Sequence, residues 1–429
     1  MTAAQRKWID VAVIGAGPAG VAAACAARTA GAGRVVVFDR DAEPGGILQQ
    51  CVHTGFGLHT FGEELTGPEY MHRYIERARR AGVEFEPGAA VFGMEKPESR
   101  GDRQSAAFWV SSARRGVERV EAGAVVLAMG CRERPAGALG LAGTRPSGVY
   151  TAGSAQRLLN MGGLLPGRRA AVMGTGDIGL IMARRMTLEG ASIVGVFEIM
   201  PWVSGLRRNV AQCLDDFGIH YHLNSSVREL RGYPALEGAV VEKIGRDGKP
   251  IQGSEEFIPC DTLLLAVGLI PENELTRMAG IGINPATNGP VVNDLMQTSC
   301  ECVFAAGNAV AVYDLADFVS REGERAGRNA AMYAMGRLAK GGRDIAVIPG
   351  ENVRSASPQI ITGTEDIALY LRVSSPIEGK CRLEVSEGLF SADLRCARPG
   401  EMNTARLKAS DIASLPHYIH SVAVRVKEA

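Results

Sequence analysis

One supersecondary unit occurs twice in this chain, and that repeat constrains its fold more than any other feature. The first copy opens on the apolar run Val11-Ala12-Val13-Ile14, which reads as a buried parallel strand. It enters the turn Gly15-Ala16-Gly17-Pro18-Ala19-Gly20 and continues through small, helix-favouring residues from Val21 to Ala27. A second strand, Val35 to Phe38, then ends at Asp39. The later copy runs from Ala170-Ala171-Val172-Met173 into Gly174-Thr175-Gly176-Asp177-Ile178-Gly179, then a helical stretch from Leu180 to Glu189. Its returning strand, Ser192 to Phe197, ends at Glu198, and the acid stands equally far from the first glycine in both copies. A lone Gly-x-Gly-x-x-Gly is weak evidence. Two copies, each between a strand and a helix with an acid at matching distance, predict an α/β chain with two Rossmann-like dinucleotide-binding domains.

Each residue type has a task in that motif. The first glycine permits the tight turn, the second lets the backbone approach a pyrophosphate, and the third lets the helix pack on the strand. The pyrophosphate then meets free N–H groups and the positive end of the helix dipole. The acid accepts hydrogen bonds from ribose hydroxyls. In the later copy Glu198 repels a 2′-phosphate, and Ile199 to Leu206 contains no basic residue before Arg207 and Arg208. That pattern favours NAD over NADP.

The rest of the chain is consistent with a multidomain α/β scaffold. At 429 residues it is too long for one ordinary core. Basic and acidic residues balance at 47 each, which argues against nucleic acid or an anionic membrane as the main partner. No apolar run approaches the roughly 18 residues of a membrane span. The segment from Met1 to Trp8 carries no apolar signal core, so a cytoplasmic protein is expected. The 9 cysteines are scattered, with no Cys-x-x-Cys, and predict neither a disulfide framework nor a zinc or iron–sulfur site. Residues 105–130 read as a β-meander with short strands at Phe108 to Val110, Val117 to Val120 and Ala124 to Ala128. A second meander is expected from Val227 to Gly268, a strand entering a glycine turn at Val303 to Asn308, and a helix from Phe318 to Ala339. From about residue 345 the texture becomes β-rich, and a cap or docking surface without chemistry is expected there.

Together these features resemble the FAD-dependent pyridine nucleotide–disulfide oxidoreductase superfamily over about residues 8–340. The glutathione-reductase-like arrangement, an NAD domain inserted in an FAD domain, implies FAD-binding parts at 8–135 and 260–340 and an NAD(H)-binding domain at 140–258. The small β-rich C-terminal module, 345–429, lies outside the resemblance. It implies FAD contacts from Gly15, Gly17, Pro18, Ala19, Gly20, Asp39, Arg40, Gly45, Gly46, Ala128, Gly130, Gly307 and Asn308. For NAD it implies Gly174, Gly176, Asp177, Ile178, Gly179, Glu198 and Gly268. Two positions depart from the family pattern. Met129 stands for Thr, and Asn308 stands for Asp, keeping an acceptor oxygen for a ribityl hydroxyl but losing the charge. The helix near Phe318 would point its positive end at the flavin pyrimidine edge.

The stretches Gly45 to Gly57, Glu64 to Tyr70 and Gly130 to Pro135 look like flavoproteins that accompany a glycerol-3-phosphate-dehydrogenase-type flavoprotein. They resemble, more distantly, the α subunits of sarcosine and opine oxidases. That resemblance implies electron exchange between NAD(H) and a partner, a flavoprotein dehydrogenase or an iron–sulfur protein, and leaves the oligomeric state open. The family name suggests a redox disulfide, yet the family's cysteine positions are Leu48 and His53 here, and the alternative segment, Val149 to Gln156, has no cysteine. Cys51 is then the candidate for a single reactive thiol, if His53, His59 or a helix N-terminus lowers its pKa; the alternative is an inert buried cysteine. His53 is the candidate hydrogen-bond donor to flavin or substrate, or a structural histidine. Arg132 and Arg134 are of a type to hold an anion. Three functions fit. One is an FAD-dependent enzyme moving hydride between NAD(H) and FAD without a disulfide. Another is a cofactor-bearing assembly subunit of a glycerol-3-phosphate, opine or sarcosine type dehydrogenase or oxidase. The last is a peroxide or persulfide reductase using Cys51.

Overall fold

Both repeats form the units that their residues predict. In the first, β1 (Ile9–Ile14) leads to α1 (Pro18–Thr29) and β2 (Val35–Phe38). In the second, β3 (Arg169–Met173) leads to α2 (Asp177–Leu188) and β4 (Ser192–Phe197). The long late helix, α3, spans Ala316–Ala334. It starts before Phe318 and stops short of Ala339, because the chain turns at Gly336, whose φ of 71° is left-handed. The computed structural model describes residues 8–100, 103–339 and 342–429; the stretch from Met1 to Lys7 lies outside the described residues. No described helix is long and apolar enough to cross a membrane.

The chain divides into two compact units, Met1–Cys131 with Pro271–Ala429, and Arg132–Ile270. In the first unit β1 pairs in parallel with β2 and with Gly116–Leu127, which in turn pairs with Val303–Ala305. The meander differs from expectation. The two short strands predicted at Val117 to Val120 and Ala124 to Ala128 are one strand of 12 residues. Its first half pairs antiparallel with Arg103–Ser112, largely exposed, and its second half is buried beside β1. The polar residues that read as a turn mark only the passage from solvent to core. Helix α3 lies against α1 at very close range. A Cβ on Gly323 would stand 2.2 Å from the Ala19 carbonyl oxygen, and one on Gly327 would stand 1.9 Å from that of Ala23. Only glycine permits this approach.

The second unit carries a five-stranded parallel sheet in the order Val149–Thr151, Thr262–Leu265, β3, β4, Tyr221–His222. This corrects the expected boundary at 258–260. The wholly buried strand Thr262–Leu265 fills the place beside β3, with Val172 opposite Leu264, so it belongs to this unit rather than to the FAD part. The unit also begins earlier than residue 140.

The C-terminal module consists of two sheets, one of them built from Val353–Ser357, β5 (Ile367–Val373) and an edge strand, and the other including β6 (Phe390–Leu394). The edge strand beside β5 is β7 (Asn403–Leu407). Its own core includes Leu369, Leu383 and Val424. It is nonetheless tied into the first unit. Fully buried Asp294 accepts from Thr362 N at 3.0 Å, Thr362 Oγ1 at 2.7 Å and Gly363 N at 3.1 Å. The Arg372 guanidinium pairs with Asp314 and donates to the carbonyls of Val312 and Pro399.

At the same junction Glu322 is buried, close to the Tyr313 and Tyr370 hydroxyls. Burial pushes the Glu322 carboxyl up to about 7, with Arg325 and Arg321 opposing. A raised carboxyl pKa means that the folded state holds the proton more tightly. The stability this group contributes is full below its ordinary value of 4.5 and is lost as pH rises through about 7. Glu322→Gln removes that loss. It is expected to stabilise the protein by up to about 3 kcal/mol at pH 8 and by little at pH 5, read from urea midpoints. Equal effects at both pH values would contradict the buried ionisation.

Candidate cofactor sites

The first glycine-rich turn is closed toward the protein and open on one side. A Cβ on Gly20 would stand 1.8 Å from the Gly15 carbonyl oxygen, and one on Gly15 would stand 2.3 Å from that of Ala128. A Cβ on Gly17 would meet nothing within 4 Å, and the same holds at Gly130. Pro18 opens α1, and Gly17, its N-cap, supplies no side-chain cap. The first N–H groups of the helix therefore have no side-chain acceptor. Gly45 donates to the Ala16 carbonyl at 2.9 Å, and a Cβ on Gly46 would stand 3.0 Å from Gly17 Cα. Gly307 lies over Ala19, where a Cβ would come to 2.8 Å. The structure thus brings Gly15 to Gly20, the double glycine, Ala128 and Gly307 together. A pyrophosphate fits this cradle: over Gly17 it finds backbone donors and no side chain in its way.

The side chains around the turn are already engaged. Asp39 accepts from Ala16 N at 2.5 Å and from Asp41 N at 2.8 Å, which braces the turn and leaves lone pairs for a ribose; Arg40 is exposed. Asn308 accepts from Tyr313 N at 3.0 Å and donates to Cys131 Sγ at 3.7 Å, so one lone pair of its carbonyl oxygen is taken. The first turn of α3 contains Asp317, 3% exposed, which accepts from Gly57 N at 3.1 Å. That carboxylate offsets part of the helix's positive end, which the sequence pattern did not suggest.

The second turn is braced more heavily. Cβ atoms on Gly174 and Gly179 would stand 2.3 Å from the Ala266 carbonyl oxygen and 2.4 Å from Ala266 Cβ. At Gly176, the N-cap of α2, a Cβ would stand 3.0 Å from the same oxygen, so this cradle is tighter than at Gly17. Glu198 is 3% exposed and accepts four hydrogen bonds. They come from Thr175 N at 2.9 Å, Thr175 Oγ1 at 2.5 Å, Ser204 Oγ at 3.1 Å and Met200 N at 3.0 Å. It is first a clamp on its own turn, and a ribose hydroxyl has to compete with these donors. Asp177 accepts from Leu206 N at 2.8 Å and Asn209 Nδ2 at 2.6 Å, holding the segment after β4. Ile178 is half-buried, and Gly268, at φ 99°, is open, with nothing within 4 Å of a Cβ. Thr175, Ser204 and Asn209 were missed by sequence reasoning. The one available signal was a hydroxyl inside the glycine-rich turn.

Of the two readings of Cys51, a reactive thiol and an inert buried cysteine, the structure favours the second. Cys51 is 2% exposed, and burial pushes its thiol up to about 12. It follows the 3₁₀ turn Gly46–Gln50 and donates to the Ile47 carbonyl at 3.4 Å. A turn's C-terminal end disfavours an anion there. His53 is half-buried, with Nδ1 2.9 Å from the Thr54 carbonyl oxygen and its ring 5.2 Å from that of Phe56. Arg132 and Arg134 are exposed. Among the described residues no cluster of His, Cys, Asp and Glu is arranged to hold a metal ion.

Comparisons with known proteins agree with this architecture. A family model described as pyridine nucleotide-disulphide oxidoreductase matches residues 9–334. The chain is 28% identical over 349 residues to one of the opine oxidase subunits of Rhizobium meliloti, covering 77% of this chain and 63% of that one. It thus spans a little under two thirds of that relative's length. It is 27% identical over 359 residues to the glutamate synthase (NADPH) small chain of Escherichia coli strain K12, covering 76% and 69%. The thioredoxin reductase of T. acidophilum shares the fold, with a TM-score of 0.61 at 22% identity over 76% of this chain and 98% of that one.

Proposed function

The chain belongs to the pyridine nucleotide-disulphide oxidoreductase family, as a flavoprotein taking FAD and a pyridine nucleotide, and we propose that it moves hydride between NAD(H) and FAD and exchanges electrons with a partner redox protein or small acceptor, without a redox disulfide. The observation that carries this reading is the first turn, closed at Gly15 and Gly20 and open at Gly17 beneath an uncapped helix. Bound, the two cofactors supply the hydride chemistry, which needs no side-chain acid or base. The chain's own task is to bind and orient. The N–H groups at the start of α1 hold a pyrophosphate over Gly17, and Asp39 keeps Ala16 in place beneath it. Buried Glu198 keeps a carboxylate beside the second turn, and Ile199 to Leu206 offers no cation to a 2′-phosphate. This argues for NAD, although four relatives, all glutamate synthase small chains, carry NADPH in their names. Steady-state assays with an artificial acceptor test the point. NADH is expected to exceed NADPH in kcat/KM by about tenfold or more, and the reverse order would sink the argument.

The buried thiol removes the motive for a reductase acting through Cys51. Cys51→Ala is expected to leave NADH oxidation within about twofold of the parent, a change of a few tenths of a kcal/mol. Loss of turnover with flavin reduction intact would restore that reading. A second reading, a cofactor-bearing member of a larger assembly, is favoured by relatives named as subunits and by the length they have beyond this match. It predicts no turnover by the isolated chain with artificial acceptors until a partner flavoprotein or iron–sulfur protein is added.

A further inference from the structure

The C-terminal module, for which the sequence offers no chemistry, forms one wall of a cavity of ≈ 290 Å³. It is lined by His59, by Phe318 and Arg321 of α3, by Phe390 of β6, and by Thr404 and Arg406 of β7. None of these residues belongs to either glycine-rich turn. The His59 ring stacks on Phe318 with centroids 5.9 Å apart, and the Arg321 guanidinium lies 5.7 Å from the same ring. His59 and Arg321 thus flank the Phe318 ring at the cavity, a surface suited to a planar body that carries negative charge.

One further observation points to a ligand. Among the described residues neither Arg321 nor Arg406 has a carboxylate at salt-bridge distance. By contrast, Arg328 of α3 and Arg372, Arg382 and Arg398 of the module each have one. Beside the cavity the buried Tyr370 ring stands 5.2 Å from that of Phe318, and its hydroxyl lies within reach of Arg321.

We propose that this cavity binds a small organic anion whose carboxylate or phosphate is held between Arg321 and Arg406 and whose apolar body lies on Phe318 and Phe390. Guanidinium groups pair with both anions through parallel N–H···O bonds. The volume stands at the small end of ligand pockets, about 300 Å³ and upward, and suits a single substituted ring.

Calorimetric titration of the FAD-loaded protein with benzoate, phenyl phosphate and inorganic phosphate tests this. Benzoate and phenyl phosphate share a ring and differ in the anion, so they separate the two sources of charge; inorganic phosphate lacks the ring. At least one ring-bearing anion is expected to bind saturably, and more tightly than inorganic phosphate. Arg406→Ala and Arg321→Ala are each expected to weaken that binding by about tenfold or more. Phe390→Ala is expected to weaken it while leaving inorganic phosphate unchanged. Both arginines are exposed, so the variants keep the fold, and their melting temperatures check this. Three results would overturn the proposal: no saturable binding by either ring-bearing anion, parent-like binding in both arginine variants, or inorganic phosphate binding as tightly as phenyl phosphate.

Discussion

Gly17→Ala is expected to leave the protein folded and strip it of FAD, whereas Gly20→Ala is expected to unfold the first unit. The two positions lie three residues apart and differ in what a methyl group meets. At Gly20 it would stand 1.8 Å from the Gly15 carbonyl oxygen and 3.3 Å from Val13 Cγ1. Neither the turn nor β1 can retreat without breaking the parallel pairing of β1 with β2. The cost should exceed about 4 kcal/mol, at the extreme of single substitutions and a large part of a domain's stability. At Gly17 the backbone, φ −75° and ψ −173°, is one any residue adopts, and the methyl meets nothing within 4 Å. It occupies only the space a pyrophosphate needs. FAD affinity should fall by about a hundredfold, or roughly 3 kcal/mol. Urea midpoints and flavin content per chain after reconstitution read both outcomes. A Gly17→Ala protein that binds FAD like the parent would mean that the cofactor lies elsewhere.

Glu198→Ala should damage the second unit beyond the loss of one ligand contact. The carboxylate receives four hydrogen bonds in a site only 3% exposed. Removing it leaves the N–H groups of Thr175 and Met200 without their acceptor. Each such group costs about 1–3 kcal/mol, so a loss of at least about 2 kcal/mol is expected, with NADH affinity reduced tenfold or more and FAD retained. Glu198→Gln keeps one acceptor oxygen and should fall between. If Glu198 served only a ribose, the alanine variant would lose NADH affinity at unchanged stability. Denaturation and NADH binding measured on the same preparations separate the two roles.

Much of this was legible in the residues. The two strand–turn–helix units, the double glycine and the family followed from local pattern, because a tight turn against a helix admits few residue types at those positions. What was not legible depends on pairing across the chain. Val117 to Leu127 reads as two strands around polar Glu121 because the pattern cannot show that the same strand passes from solvent to core. Thr262–Leu265 gives no sign of which sheet receives it. Gly323 and Gly327 look like ordinary helix-weakening glycines until α1 is found against them. Cys51 read either as a thiol activated by nearby histidines or as an inert buried one, and its burial, which local pattern does not show, decides for the second. The arginine-lined cavity joins His59, Phe318 and Arg406, residues with nothing in common until the module folds onto α3.

The central claim, that this chain passes hydride between a nicotinamide dinucleotide and its own flavin, is tested most directly by anaerobic titration of the FAD-loaded protein with NADH, followed in the flavin absorbance band. Rapid bleaching that approaches one equivalent of NADH per flavin, with NADPH much slower, is the predicted result. An unchanged flavin spectrum over minutes with either nucleotide would contradict it and favour the reading as a member of a larger assembly.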